Sequence, residues 1–253
     1  MTDHLLEEAE TDPRLIVGLD FAFSFPFWFL QEWGLSSARE LWARVDERGE
    51  DWLASAEDPF WGRPGSTKPD LPDHFRRTEQ AVRQETGAQP KSPFQIGGAG
   101  AVGTGSIRGM PHLLRLAEAG FSIWPFDPPD LPLVVEIYPR LLTGEVVKSN
   151  PEARRAYLDN RFPDLESGFR EKAASSEDAF DAAVSALVMD RNRDELTSLP
   201  EVKGDIRRRE GVIWRPGLTA EEDHEKSAGA RPGRSKGPEG KRDPDPPVPH
   251  TAL

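Results

Sequence analysis

Apolar residues in this chain fall into short unbroken runs and longer helically spaced stretches. Leu15-Ile16-Val17-Gly18-Leu19 is a continuous apolar run that ends at Asp20. Such runs are typical of strands covered on both faces, as in a parallel sheet. Leu133-Val134-Val135-Glu136-Ile137-Tyr138 is the clearest strand in the sequence. Its alternation places Val134, Glu136 and Tyr138 on one face. Phe121 to Phe126 predicts an edge strand, because Pro125 cannot donate to a ladder. Gly211 to Pro216 predicts a last short strand or turn.

The helical stretches begin with Asp3–Glu10, broken by Asp12-Pro13. Phe27 to about Trp61 follows, with Leu30, Trp33, Leu41, Trp42, Val45 and Trp52 as core anchors. Gly62 to Pro72 is loop, and Asp73 is positioned to cap a helix carrying Phe75, Ala81 and Val82. Gly97 to Gly109 is expected to be a glycine-rich loop, with Pro111 opening a helix that Gly120 closes. Asn150-Pro151 starts another helix. Ser175 or Ser176 caps Glu177 to Met189, where Ala179, Ala182, Ala183 and Ala186 give a small-residue packing face.

Composition sharpens this picture at the C-terminus. The stretch from about residue 218 to 253 has few large apolar side chains and many Pro, Gly and charged residues. It cannot bury enough surface to offset its ordering entropy, so it is expected to be a disordered tail behind a domain of residues 1–217. No apolar run reaches the roughly 20 residues a membrane-spanning helix needs, and the acidic N-terminus lacks the order of a secretory signal. No membrane association and a cytoplasmic location are therefore expected. With Cys 0, disulfides and cysteine nucleophiles are excluded. A net charge of −12 argues against a broad nucleic-acid-binding face, though Arg76-Arg77, Arg154-Arg155 and Arg207-Arg208-Arg209 could form local patches.

Carboxylates occupy three places where burial makes them costly. Asp20 ends an apolar strand, Glu136 interrupts one, and Asp178 and Asp181 share a helix face beside the alanines. Acids converging on one cavity would repel each other unless a hard cation such as Mg²⁺ or Mn²⁺ bound them. Each also has a plainer role available. Asp20 could cap the next turn, Glu136 could pair with a basic residue such as Arg140, and Asp178 could complement the helix dipole.

Several strings occur in an order that resembles a known family. They are Val-Gly-Leu-Asp-Phe-Ala-Phe-Ser-Phe-Pro (17–26), Gly-Thr-Gly-Ser-Ile-Arg-Gly-Met-Pro (103–111), Ile-Trp-Pro-Phe-Asp (123–127), Val-Glu-Ile-Tyr-Pro (135–139), Asp-Ala-Phe-Asp-Ala (178–182) and Gly-Val-Ile-Trp-Arg-Pro (211–216). Together they resemble domain-of-unknown-function family 429, described as predicted RNase H-like nucleases. The resemblance covers most of residues 14 to 217. It implies an α/β fold: an RNase H-like mixed sheet with flanking helices and a large helical insertion near 27–120. It also implies metal ligands at Asp20, Glu136 and Asp181, with Asp178 as the alternative on the last helix. The activity implied is Mg²⁺- or Mn²⁺-dependent phosphodiester hydrolysis, with nucleic acid as partner. The chain departs from the family in lacking the fold's first three strands and the first catalytic aspartate. A start assigned too late is the preferred explanation, before a partner that completes the sheet or a degenerate, inactive remnant.

Two rivals stand beside the nuclease expectation. A non-catalytic binding or scaffold protein would explain the missing aspartate. A dinucleotide-binding protein would use Gly98-Ala-Gly-Ala-Val-Gly103, but this GxGxxG follows only a three-residue apolar run and is the weaker reading. The histidines show no metal-ligand spacing. Arg76, Glu79 and Arg108 are expected to flank the cleft and touch substrate.

Overall fold

The computed structural model describes residues 1–218, which form an α/β domain. The predicted tail lies outside the described residues. Among those described, four strands make one open sheet: β1 (Ile16–Leu19), β2 (Ser122–Trp124), β3 (Leu133–Ile137) and β4 (Ile213–Trp214). Every pairing is parallel, so the mixed sheet expected from the resemblance is corrected at this point. β3 is central, with β1 along one edge, while β2 pairs with its residues 133–135 and β4 with its residues 136–137. All five β3 residues are buried, Glu136 among them, as in a strand covered on both faces.

β2 and β3 run parallel although only residues 125–132 join them. Parallel neighbours usually need a crossover of about a dozen residues. Here β2 is so short that eight residues span the return, and the loop's polar groups close on the strand. Ser122 Oγ donates to the Pro128 carbonyl at 2.5 Å, and the Asp127 carboxylate accepts from the Ile123 amide at 3.0 Å.

Two helical layers cover the sheet. On one side α3 (Ala38–Ser55) packs along α5 (Val102–Glu118). The core there joins Trp42, Trp52, Ile107 and Leu113 to Val17, Ile123 and Val134 of the sheet. Residues from the 27–120 stretch therefore share the sheet's main core. On the other side α9 (Glu177–Arg191) and α10 (Arg193–Thr197) bring Met189 and Leu196 against Val135 and Ile137.

Helix boundaries differ from expectation where local chemistry intervenes. The helical stretch expected from Phe27 to about Trp61 holds two helices, α2 (Phe27–Glu32) and α3. Gly34 takes φ 64° between them, and Ser37 caps α3 by accepting from the Glu40 amide. α4 (Arg77–Thr86) begins after Arg76 rather than at Asp73, whose carboxylate accepts from the Phe75 amide upstream of the helix. The largest correction is α5, which runs through the expected glycine loop and past Pro111. Its glycines permit close approach. A Cβ on Gly103 would lie 2.4 Å from the Pro93 carbonyl oxygen, and one on Gly109 would lie 2.6 Å from the Phe21 ring. Ser176 caps α9 as expected, and Asn150 with Pro151 at N1 opens α7 (Pro151–Arg161).

Candidate active site

β1 and β3 end together, because Leu19 pairs with Glu136 in register. Asp20 follows β1 directly and Tyr138 follows β3. In open parallel sheets, the crevice beyond the carboxyl ends of the strands is where ligands bind. A cleft of about 410 Å³ lies there. Asp20, Tyr138, Arg140, Lys148 and Asp181 contribute to its walls, with Gly87–Gln89 closing one side.

Asp181 reaches the cleft from the first turns of α9, and Lys148 comes from the loop that precedes α7. Lys148 Nζ donates to Asp181 Oδ2 at 2.5 Å. Both side chains are about one-fifth exposed. The lysine's own carbonyl accepts from Arg154, a buried side chain that also donates to the Ala174 carbonyl at 3.0 Å. Asp181 Oδ1 is buried and has no hydrogen-bond partner.

Solvent reaches Asp20, yet protein surrounds its carboxyl on most sides. That burial lifts its pKa to about 6, with the negative charges of Asp181 and Glu136 adding to the shift and Lys148 opposing it. Tyr138 is pushed up as well, by burial and then by Asp20, with Arg140 pulling the other way. Asp178 sits exposed in the first turn of α9, where an acid complements the helix dipole. It raises the pKa of Asp20 only as the smallest contributor.

Glu136 is placed differently. It is 3% exposed and salt-bridged to Arg76, which is fully buried. Arg76 donates to Glu136 Oε1 at 2.5 Å and to Oε2 at 2.8 Å, and the Phe23 amide donates to Oε2 at 3.0 Å. Arg76 also pairs with Glu79 and donates to the Glu210 carbonyl at 2.9 Å. A basic partner for Glu136 was expected, but at Arg140; the fold supplies Arg76, sixty positions away.

This network fastens the aromatic loop that follows Asp20. The loop is buried from Ala22 to Pro26, so its main-chain groups need partners. Ala22 donates to Ser106 Oγ at 3.0 Å, the Phe23 carbonyl accepts from Trp42 Nε1 at 2.8 Å, and Ser24 Oγ donates to the Arg209 carbonyl at 2.6 Å. The Glu210 carboxylate accepts from the amides of Phe27 and Arg77, both at 2.7 Å.

The expected metal-binding group of Asp20, Glu136, Asp178 and Asp181 is therefore not assembled. No three His, Cys, Asp or Glu side chains converge to hold an ion among the described residues. The physical reason is that Arg76 and Lys148 already balance two of the four acids. Arg76 and Glu79 are buried scaffold groups rather than substrate contacts, and Arg108 pairs with Glu50 on the outer surface of α5 and α3. Gly103 of the GxGxxG string lies in the first turn of α5, packed against the Pro93 carbonyl. Lys148 escaped the sequence reading because nothing in its spacing links it to Asp181. Among the described residues no helix is long and apolar enough to cross a membrane. Comparison with family models, with curated proteins and with solved structures finds no match.

Proposed function

We propose that the cleft beyond β1 and β3 is the active site of a divalent-cation-dependent phosphodiester hydrolase, acting on nucleic acid. The observation that carries this reading is the meeting of two carboxylates, Asp20 and Asp181, with two cationic side chains, Lys148 and Arg140, around one cleft at the strand ends. A phosphodiester needs both kinds of group: cations to hold its oxygens, and acids to hold a metal or move a proton. The sequence resemblance points the same way.

The residues fit one cation better than two. Asp181 Oδ1 is buried without a partner, and Asp20 is crowded by negative charge, so a hard ion between them would relieve both. Asp178, exposed in the first turn of α9, lies outside the residues that wall the cleft and is left out of the ligand set. Glu136 has its oxygens taken by Arg76 and Phe23, which leaves it out of the ligand set. When bound, Mg²⁺ or Mn²⁺ would supply Lewis-acid activation of water. The chain's own residues do the rest. Lys148 and Arg140 orient the phosphate, and the fastened loop from Ala22 to Pro26 fixes the position of Asp20.

The test is a titration of Mn²⁺ by calorimetry beside cleavage of labelled single- and double-stranded oligonucleotides. Asp20→Asn and Asp181→Asn should each abolish saturable Mn²⁺ uptake and lower cleavage by about 10²-fold or more, with the fold intact by circular dichroism. Unchanged cleavage in both variants would remove the assignment. One observation favours a second reading, a non-catalytic binding protein: Arg76 and Lys148 balance two of the acids without any ion. That reading stands if Mn²⁺ neither binds nor supports cleavage.

A further inference from the structure

A second cavity lies away from the cleft, along β1. Its volume is about 600 Å³, and its walls come from β1, α9, α10 and the end of α1 (Thr2–Thr11). Ile16, Val17 and Gly18 all border it. The Ile16 side chain belongs to the core on the α9 side of the sheet, and that of Val17 to the core on the opposite side. A cavity that touches both residues and the glycine between Val17 and Leu19 must run along the strand's edge, where the main chain is presented.

That edge has no strand beside it. β1 pairs only with β3 among the described residues. The Leu15 carbonyl accepts from the Leu133 amide, which turns residues 15, 17 and 19 toward β3. Alternation then directs the N–H and C=O groups of Ile16 and Gly18 into the cavity. Ser185 on α9 adds a second signal. It is 2% exposed, borders the same cavity, and its Oγ has no hydrogen-bond partner. Buried polar groups of this kind need partners.

We infer that this cavity is a binding site for an extended peptide segment of a partner protein, taken up as an added strand on β1. Size supports a strand as the occupant. Four extended residues span about 13 Å, with strand spacing near 5 Å and layers about 10 Å apart, which gives roughly 600 Å³. The same dimensions disfavour a second folded copy. An edge about 13 Å long and one strand wide buries much less than the about 1,000 Å² that a stable interface between folded proteins needs. The segment would alternate β-branched with polar side chains, since Leu5, Ile137 and Met189 border the slot beside Asp190, Arg193 and Asp194, and its main chain would satisfy Ile16 and Gly18. This inference is independent of the hydrolase reading.

Amide hydrogen exchange followed by NMR on the full chain tests it. The probe is a blocked hexapeptide alternating valine and threonine, beside an analogue N-methylated on two adjacent residues. In the free protein the Ile16 and Gly18 amides should exchange at least about 10-fold faster than those of Val17 and Leu19. The peptide should slow Ile16 and Gly18 by about 10-fold or more, and the N-methylated analogue should not. Ala186→Trp, at an exposed position on the cavity wall, should abolish the effect without unfolding the domain. Three results would each overturn the inference. The first is equal binding of both peptides, which marks a simple apolar cavity. The second is protection of Ile16 and Gly18 in dilute free protein. The third is protection that rises with protein concentration alongside a dimer in light scattering, which assigns the edge to a second copy.

Discussion

Glu136 and Asp181 are both carboxylates paired with one basic side chain, but the pairs sit on either side of the boundary between core and cleft. Arg76 and Glu136 are buried, bonded through both carboxylate oxygens, and tied into Glu79, Glu210 and Phe23. Lys148 and Asp181 share one contact, keep about one-fifth of their surface, and leave one carboxylate oxygen unpartnered. A buried pair cannot lose a member without stranding a charge, whereas a pair in a cleft can exchange its partner for water, an ion or substrate. The first arrangement holds a loop in place. The second leaves chemistry available. Burial, more than residue type, separates the two roles.

The hardest blow to this contrast would be Arg76→Met. It strands Glu136 and Glu79 in the core and should cost about 3–5 kcal/mol in urea denaturation. A loss below about 1 kcal/mol would mean that the network is no firmer than the cleft pair. Next comes Gly109→Ala, which probes the same loop from behind. Glycine to alanine inside a helix normally stabilises by about 1 kcal/mol. Here the new methyl would meet the Phe21 ring at 2.6 Å, so a loss of about 1–3 kcal/mol is expected.

The cleft should respond in the opposite sense. The folded pKa of Asp20, about 6, stands above its ordinary 3.8, so ionising it works against the folded state. Its destabilising effect is absent below about pH 4, grows as pH rises toward 6, and is complete above that. Asp20→Asn should therefore raise the Tm of metal-free protein by a few degrees at pH 7.5 and leave it unchanged near pH 3.5. A variant less stable at both pH values would show that Asp20 is held like Glu136. The smallest expected effect belongs to Lys148→Met. Its cost in stability should be about 1 kcal/mol or less. Because Lys148 lowers the Asp20 pKa, its removal should move that titration further above 6, read from the carboxyl carbon by NMR.

Much of the frame was legible because it rests on local signals. Continuous apolar runs located β1 and β3, and Ser176 and the Asn150-Pro151 pair marked two helix starts. α5 was misread because its glycines look like a loop, while what decides their conformation is contact with Pro93 and Phe21, distant in sequence. The acids were legible as types and not as partners. Nothing near Glu136 announces Arg76, and nothing near Asp181 announces Lys148. Pairings of that range are set by the folded layers, so sequence alone could place four acids together where the fold divides them between core and cleft.

The buried loop from Ala22 to Pro26 bears on how the domain assembles. Its anchors at Ser106, Glu136 and Arg209 lie 84, 113 and 185 residues away from the groups they hold. Closing chain segments of that length costs entropy before any of these contacts repays it. The segment that aims Asp20 is thus expected to order late, after both helical layers have formed. Substitutions among its anchors should chiefly speed unfolding, leaving the refolding rate almost unchanged.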